Sequence, residues 1–288
     1  MKAITVLGGF GFVGSHYWNS LDASTHDPNW SSRNHRDDYE IYTPNVINFI
    51  STVHNYNIFD NSHLDIDTNL NVLMTTLDNW RKFARNVKSA DCVYNLISSW
   101  FVYGNQQVPE DVKEDAICDP KGFYSITKRC AEQLLISYCE TFGLNYRILR
   151  LANVVGPGDK KVSQKKNALQ YLINEIKAER DIEVYNDGRF YRDYIHIEDC
   201  VNAINLVIDQ GKYDEIYNIG NGQSWYFADI LYYARRVLGS KSMIKFIKPK
   251  EFHDLVQIKS FYMNIDKLTS LGYNAKYLGE NLYNTLLA

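Results

Sequence analysis

The sequence predicts an α/β protein in which a doubly wound parallel sheet carries a smaller carboxyl-terminal α/β unit. Three observations predict it. Lys2 to Leu7 is an apolar run of strand length that ends in Gly8-Gly-Phe-Gly-Phe-Val-Gly14, ahead of a helix expected to begin near Ser15. Cys92 to Ile97 is a second such run, followed at once by Ser98 and Ser99 and later by a helix. In that helix Ala131, Leu134, Leu135, Tyr138 and Phe142 recur at helical spacing until Gly143 offers a stop. Tyr146 to Asn153 is a third strand, opening onto Val154-Val-Gly-Pro157.

Composition narrows the function before any motif is read. With 288 residues and 45% hydrophobic content the chain is long enough for one large domain, or for one domain with a smaller annex. A formal charge of -3 provides no basic field to gather nucleic acid or an anionic membrane, so a small ligand is the expected partner. The five cysteines, Cys92, Cys118, Cys130, Cys139 and Cys200, are odd in number and scattered without a C-x-x-C pair. That spacing argues against a disulfide framework or a zinc site and for reduced thiols in a cytoplasmic protein. The apolar start, Met1 to Leu7, is too short for a signal segment, and no run approaches the roughly 20 residues of a membrane span.

Taken in order, the glycines at 8, 11 and 14 allow a tight turn and a close backbone approach, and the free N–H groups at a helix start suit a pyrophosphate. A second strand is expected to end about 20 residues further on in an acid that binds ribose hydroxyls. The expected position holds Ser32-Arg33 instead, with Asp37 and Asp38 as alternatives if the register slips. A guanidinium without a carboxylate suits a 2′-phosphate, so NADP is favoured over NAD. Asn45 to Ile50 is a further inner strand ending at Ser51-Thr52, and the short interval between Gly14 and Asn45 makes this half of the sheet look abbreviated. Asp67-Thr-Asn69 leads into a helix with Leu70, Leu73, Met74, Leu77 and Trp80 on one side, a stripe read as core or subunit contact.

Tyr124-Ser-Ile-Thr-Lys128 is where the chemistry is expected. Residues four apart on a helix share a face, and an ammonium beside a phenol of ordinary pKa about 10 lowers that pKa by stabilising the phenolate. The pair is a candidate proton shuttle. Beyond it, Pro157 to Asn167 is a polar loop with Lys160, Lys161, Lys165 and Lys166, read as solvated surface. Glu183 to Ile197 reads as two short strands around a turn at Asp187-Gly188, with Asp199 as cap of the helix that follows. Tyr217 to Gly222 is a strand with a glycine turn, Phe227 to Leu238 is a helix, and the signals weaken from Phe246 onward.

Together these landmarks resemble the extended short-chain dehydrogenase/reductase family, in its nucleotide-sugar epimerase/dehydratase branch. The resemblance rests on the G-G-x-G-F-V-G start, Ser99 four residues before Tyr103 in S-S-W-F-V-Y-G, and Tyr124 with Lys128. It extends to Arg150-Leu-Ala-Asn153-Val-Val-Gly-Pro157, Arg192-Asp-Tyr-Ile-His196 with Asp199, and Tyr217-Asn-Ile-Gly220, and becomes thin beyond Gly222.

The resemblance implies a Rossmann-like dinucleotide domain over residues 1–156 with parts of 189–222, and a mainly substrate-binding domain over 157–288. Gly8, Gly11, Phe12, Val13, Gly14, Ser32, Arg33, Phe49, Ile50, Ser51 and Asn69 are the expected cofactor contacts, with Tyr124 and Lys128. Tyr124 would move the proton of a sugar hydroxyl, Lys128 would lower its pKa and hold the nicotinamide ribose, and Ser99 would bond the reacting oxygen. Ser99 and Trp100 would line the sugar, Asn153 and Arg192 would grip the diphosphate, and a homodimer would form through the helices beginning near Asn69 and Tyr124. Family dehydratases carry an Asp-Glu pair where this chain has Trp100-Phe101, and neither an indole nor a phenyl can transfer those protons. Epimerisation and reduction remain: an epimerase is the first reading, on its frequency in the family, and an NADPH-dependent 4-keto-sugar reductase, which the Ser32-Arg33 pair suits, the alternative. A non-catalytic cofactor-binding protein is the third, opposed by the intact Ser99, Tyr124 and Lys128.

Overall fold

Alternation of buried side chains along short strands organises the sheet, because successive residues of a strand point to opposite faces. The computed structural model describes residues 4–21, 30–31 (backbone only), 39–87, 92–160, 162–223 and 225–288. Six parallel strands, β1 (Ile4–Leu7), β2 (Trp30–Ser31), β3 (Asn45–Asn48), β4 (Val93–Ser99), β5 (Asn145–Leu151) and β9 (Glu215–Ile219), lie in the order β2-β1-β3-β4-β5-β9. Ile4, Val6, Ile47, Ile97, Leu149 and Ile219 face a core with α1 (Phe12–Ser20) and α6 (Ile197–Gln210). Leu7, Val46, Tyr94, Leu96 and Ile148 face the opposite core, which is closed by α3 (Val72–Val87) and α4 (Phe123–Phe142). Burial on both faces is what a parallel sheet flanked by helices requires.

The chain passes from β1 to β2 on one side and then crosses to β3 on the other. That reversal leaves a crevice at the carboxyl ends of β1 and β3, the usual ligand position in open α/β sheets. β2 forms the edge, with no further strand beyond it among the described residues.

The remaining elements build a second unit. β7 (Ile182–Tyr185) pairs in parallel with β10 (Ile244–Ile247), and α5 (Ala168–Lys177), α7 (Phe227–Leu238) and α10 (Glu280–Leu287) surround a core of Leu172, Ile173, Val184, Ile230, Leu231 and Leu286. β6 (Asn153–Val155) pairs with β8 (Tyr194–His196). Three short helices complete the chain: α2 (Leu64–Ile66), α8 (Glu251–Val256) and α9 (Asp266–Ser270).

Several sequence expectations need correction. α1 begins at Phe12, not near Ser15, because Gly11 already takes the cap position. The two short strands expected around a turn at Asp187-Gly188 are present as β7 and β8, and they join β10 and β6. Asp199 does not cap α6; His196 does, its Nδ1 accepting from the Glu198 N–H, while the Asp199 carboxylate accepts from the N–H groups of Lys276 (3.0 Å) and Tyr277 (2.8 Å). The helix expected from Asp67 starts earlier, as α2, and reaches α3 through a π turn at Asp67–Asn71. Within α3, Leu73, Leu77 and Trp80 are core residues. All five cysteines are unbridged, and among the described residues no helix is long and apolar enough to cross a membrane.

Candidate active site

The glycine turn fits a dinucleotide pyrophosphate through the space its glycines leave. Gly8 has φ +78°, and a Cβ there would lie 2.9 Å from the Ile50 nitrogen. At Gly14 a Cβ would lie 2.4 Å from the Gly8 oxygen, so only glycine lets α1 start this close beneath the turn. The first-turn N–H groups of α1, including those of Phe12, Val13 and Gly14, lack intrahelical acceptors and carry the positive end of the helix dipole. Phe49, Ile50 and Ser51 follow β3 directly beside Gly8; the Phe49 ring sits 5.3 Å from Tyr17, and Ile50 N donates to Asn48 Oδ1. The π turn swings Asn69 inward, where its amide donates to Thr52 Oγ1 and Thr127 Oγ1, both at 2.9 Å, and accepts from Ser51 Oγ at 3.1 Å. The expected cofactor residues thus converge, except Ser32 and Arg33, which lie outside the described residues, as do Asp37 and Asp38.

The carboxyl end of β4 is bonded to one stripe of α4. Lys128 Nζ donates to the Ile97 carbonyl at 2.6 Å, Ser98 Oγ donates to Glu132 Oε1 at 2.6 Å, and the Ser99 hydroxyl acts on the Tyr124 phenol, lowering its pKa. Tyr124, Lys128 and Glu132 are four apart, so three consecutive strand residues meet three successive helical turns. Ser99 Oγ accepts from the Phe101 N–H, which leaves its own proton to donate. Sequence reasoning missed Glu132, although its spacing from Lys128 was the available signal. Its buried carboxylate pairs with Arg150 (Nε 3.0 Å, a terminal nitrogen 2.8 Å), and Arg150 also donates to the Glu114 carbonyl.

The charge balance differs from the sequence expectation. Burial pushes the Tyr124 phenol up to about 12, against the lowering effect of the Ser99 and Ser51 hydroxyls. Burial also pulls the Lys128 ammonium down to about 8. Lys128 therefore does not lower the phenol in this state: desolvation outweighs the neighbouring cation, whose protons turn to the Ile97 carbonyl.

On the substrate side, Trp100 is buried, with its ring 4.3 Å from Phe101 and 5.2 Å from Phe261. Phe101 in turn meets Tyr124 edge to face at 6.0 Å. The Arg192 guanidinium lies 5.4 Å from the Trp100 ring and donates to the carbonyls of Tyr191, Lys259 and Ile258, and burial lowers it to about 10. Asn153 Nδ2 donates to the Asp193 carbonyl, so the residues expected to hold a diphosphate are adjacent. The sequence reading missed a bridge across this side, in which the Tyr56 hydroxyl and His253 Nδ1 hydrogen-bond at 2.5 Å and Tyr185 lies 4.4 Å from the His253 ring. Burial, and secondarily Arg192, hold His253 down to about 4. The lysine loop also reaches inward: Lys166 pairs with Asp159 and sits 6.0 Å from the Phe12 ring, while Lys165 lies 5.8 Å from the Tyr56 ring. Lys161 lies outside the described residues.

Residues 4–220 match the family described as the NAD dependent epimerase/dehydratase family. The chain belongs to this family. Among characterised relatives it is 24% identical to the trifunctional UDP-glucose 4,6-dehydratase/UDP-4-keto-6-deoxy-D-glucose 3,5-epimerase/UDP-4-keto-L-rhamnose-reductase RHM2 of Arabidopsis thaliana, over 96% of this chain and 45% of that protein. The chain thus spans less than half the length of that relative. It is 26% identical to the low-salt glycan biosynthesis protein Agl12 of Haloferax volcanii, over 96% of this chain and 95% of that one. In fold it is similar to a UDP-glucose 4-epimerase of Thermotoga maritima solved with UDP-glucose, with a TM-score of 0.82, 19% identity, and coverage of 99% of this chain and 96% of that chain.

Proposed function

We propose that this chain is an NAD(P)-dependent enzyme acting on a nucleotide-diphosphate sugar, with sugar epimerisation as its reaction. The observation that carries the reading is the buried Tyr124–Lys128 stripe of α4, held against the carboxyl end of β4 by the Lys128 bond to the Ile97 carbonyl, with the Ser99 hydroxyl acting on the phenol. When bound, a nicotinamide dinucleotide supplies the hydride donor and acceptor. Tyr124 takes the proton from a sugar hydroxyl during oxidation and returns it during reduction, while Ser99 holds the same oxygen by hydrogen bonding. Lys128 holds the nicotinamide ribose, and its ammonium favours the phenolate once the site fills. Asn153 and Arg192 bind the diphosphate, with Trp100 against the sugar.

The neighbouring chemistry supports epimerisation over dehydration. A 4,6-dehydration needs a second acid and base, and Trp100 and Phe101 pack against each other, tilted by 33°, where a carboxylate pair would be required. The relatives are named for epimerisation, dehydration and reduction of UDP-sugars, which supports the substrate class. A 4-keto-sugar reductase using NADPH is the second reading, favoured by Ser32-Arg33 at the expected 2′-phosphate position. Fluorescence titration decides that preference: tighter binding of NADPH than NADH is expected, and the reverse removes the argument.

A homodimer fits the surface of α4, where Phe123, Ile126, Cys130 and Leu134 lie exposed within a sector of about 80° of the helix. The function is tested by incubating the protein with a panel of nucleotide-sugars while following NADPH absorbance and product identity. An isomeric sugar without net cofactor oxidation is the expected result. Net NADPH oxidation supports the reductase, and tight cofactor binding without turnover of any sugar contradicts both.

A further inference from the structure

We infer that Lys166, in the loop that reads from sequence as solvated surface, supplies a further cationic contact to the pyrophosphate of the dinucleotide. The inference rests on the proposed reading that the glycine turn ahead of α1 holds that cofactor. The Lys166 side chain is only 19% exposed; its ammonium pairs with the Asp159 carboxylate at 2.5 Å and lies 6.0 Å from the ring of Phe12, the first residue of α1. Its neighbour turns elsewhere: Lys165 is half exposed, lies 5.8 Å from the Tyr56 ring and pairs with Asp60 at 3.9 Å. Two adjacent lysines therefore meet different surroundings, and Lys166 is the one set against the helix start.

The loop is pinned so as to hold the ammonium there. Gly158 has φ +89°, and a Cβ on it would lie 2.8 Å from Cε1 of His16, whose ring meets Phe12 edge to face at 5.3 Å one turn along α1. At the other end of the loop Asn167 caps α5 in left-handed conformation and donates to Gln170 Oε1 at 2.9 Å, while Gln170 donates to the Gly156 carbonyl at 3.0 Å. A cation stationed at the first turn of a helix is repelled by the positive end of the macrodipole. The Asp159 carboxylate, 1% exposed, offsets that repulsion in the free chain, and a diphosphate bound at the same turn offsets it further. An ammonium has three donors, so a bond to a phosphate oxygen does not require the pair with Asp159 to break. Arg192, read as a contact for the sugar's diphosphate, packs on Trp100, whereas Lys166 packs on α1, so the cofactor's diphosphate is the ligand assigned to it.

The test is a fluorescence titration of the full chain, without sugar and at low and high salt, with NADH or NADPH, whichever the parent chain binds more tightly, beside a separate titration with UDP. Lys166→Met is expected to weaken dinucleotide binding about tenfold at low salt and to flatten its salt dependence, as loss of one charge-assisted bond to phosphate does. Lys166→Arg is expected to keep most of the affinity, and Lys165→Met to leave it unchanged. Lys166→Gln replaces Lys166→Met if thermal melting shows that variant to be unfolded. Parent-like affinity and salt dependence in Lys166→Met, an equal loss in Lys165→Met, or a loss confined to UDP would overturn the inference, the last by assigning Lys166 to the nucleotide-sugar. A parent chain that binds neither NADH nor NADPH would contradict the cofactor reading and the inference with it, whereas one that binds the cofactor but turns over no sugar would contradict only the proposed reaction.

Discussion

At the scale of single residues the site is governed by desolvation. A tyrosine and a lysine four apart were legible as a candidate proton-transfer pair, but the sequence carried no measure of how deeply both would be buried. Burial drives the phenol up to about 12 and the ammonium down to about 8, so near neutral pH the phenol is neutral and the lysine keeps its charge only up to about pH 8. Cofactor affinity that depends on the Lys128 cation is therefore expected to weaken as pH rises through about 8 and to lose that dependence in Lys128→Met; NAD titrations across that range check it. Glu132 behaves oppositely, because the Arg150 guanidinium outweighs its burial and holds it below the ordinary carboxylate range. Its contribution is then complete above the unfolded carboxylate value of about 4.3 and is lost as pH falls toward the lower folded value. Glu132→Gln leaves Arg150 buried without its countercharge and is expected to cost about 3–5 kcal/mol, read by urea unfolding near neutral pH.

At the scale of elements, local patterns predicted what local forces decide. The apolar run of β1, the helical stripe of α4 ending at Gly143 in left-handed conformation, and the Phe227–Leu238 helix were all readable, since each follows from periodicity and a stop residue. What escaped were features decided by distant partners. β7 pairs with β10, whose aligned residue Ile244 is far along the chain from Ile182, and nothing within Glu183 to Ile197 signals that choice. The Asp199 carboxylate is likewise claimed by Lys276 and Tyr277, and the π turn exists where Asn69 must face inward to reach Thr52 and Thr127. The glycine turn was legible as a motif, and the structure adds the tolerance: Gly14→Ala puts a methyl 2.4 Å from the Gly8 oxygen. That variant is expected to weaken dinucleotide binding at least tenfold, equivalent to about 1.4 kcal/mol, as fluorescence titration would report.

For the whole molecule, one chain joins a parallel sheet to a second unit built on β7 and β10, and the lysine loop brings Lys165 to the Tyr56 ring and Lys166 to the Phe12 ring. The family membership and the α/β architecture agree with the order of motifs along the sequence, whereas Ser32 and Arg33 remain a reading of sequence alone. Assembly is predicted from the apolar face of α4: Leu134→Arg places a charge in that face and is expected to convert a dimer into a folded monomer, visible as a halved mass by light scattering. The central claim is that Tyr124 moves the proton in turnover of a nucleotide-sugar, and its most direct measurement is the turnover rate and cofactor affinity of Tyr124→Phe beside the parent chain. A loss of roughly 100-fold or more in rate with cofactor affinity retained is predicted; a variant that turns over at the parent rate would contradict it.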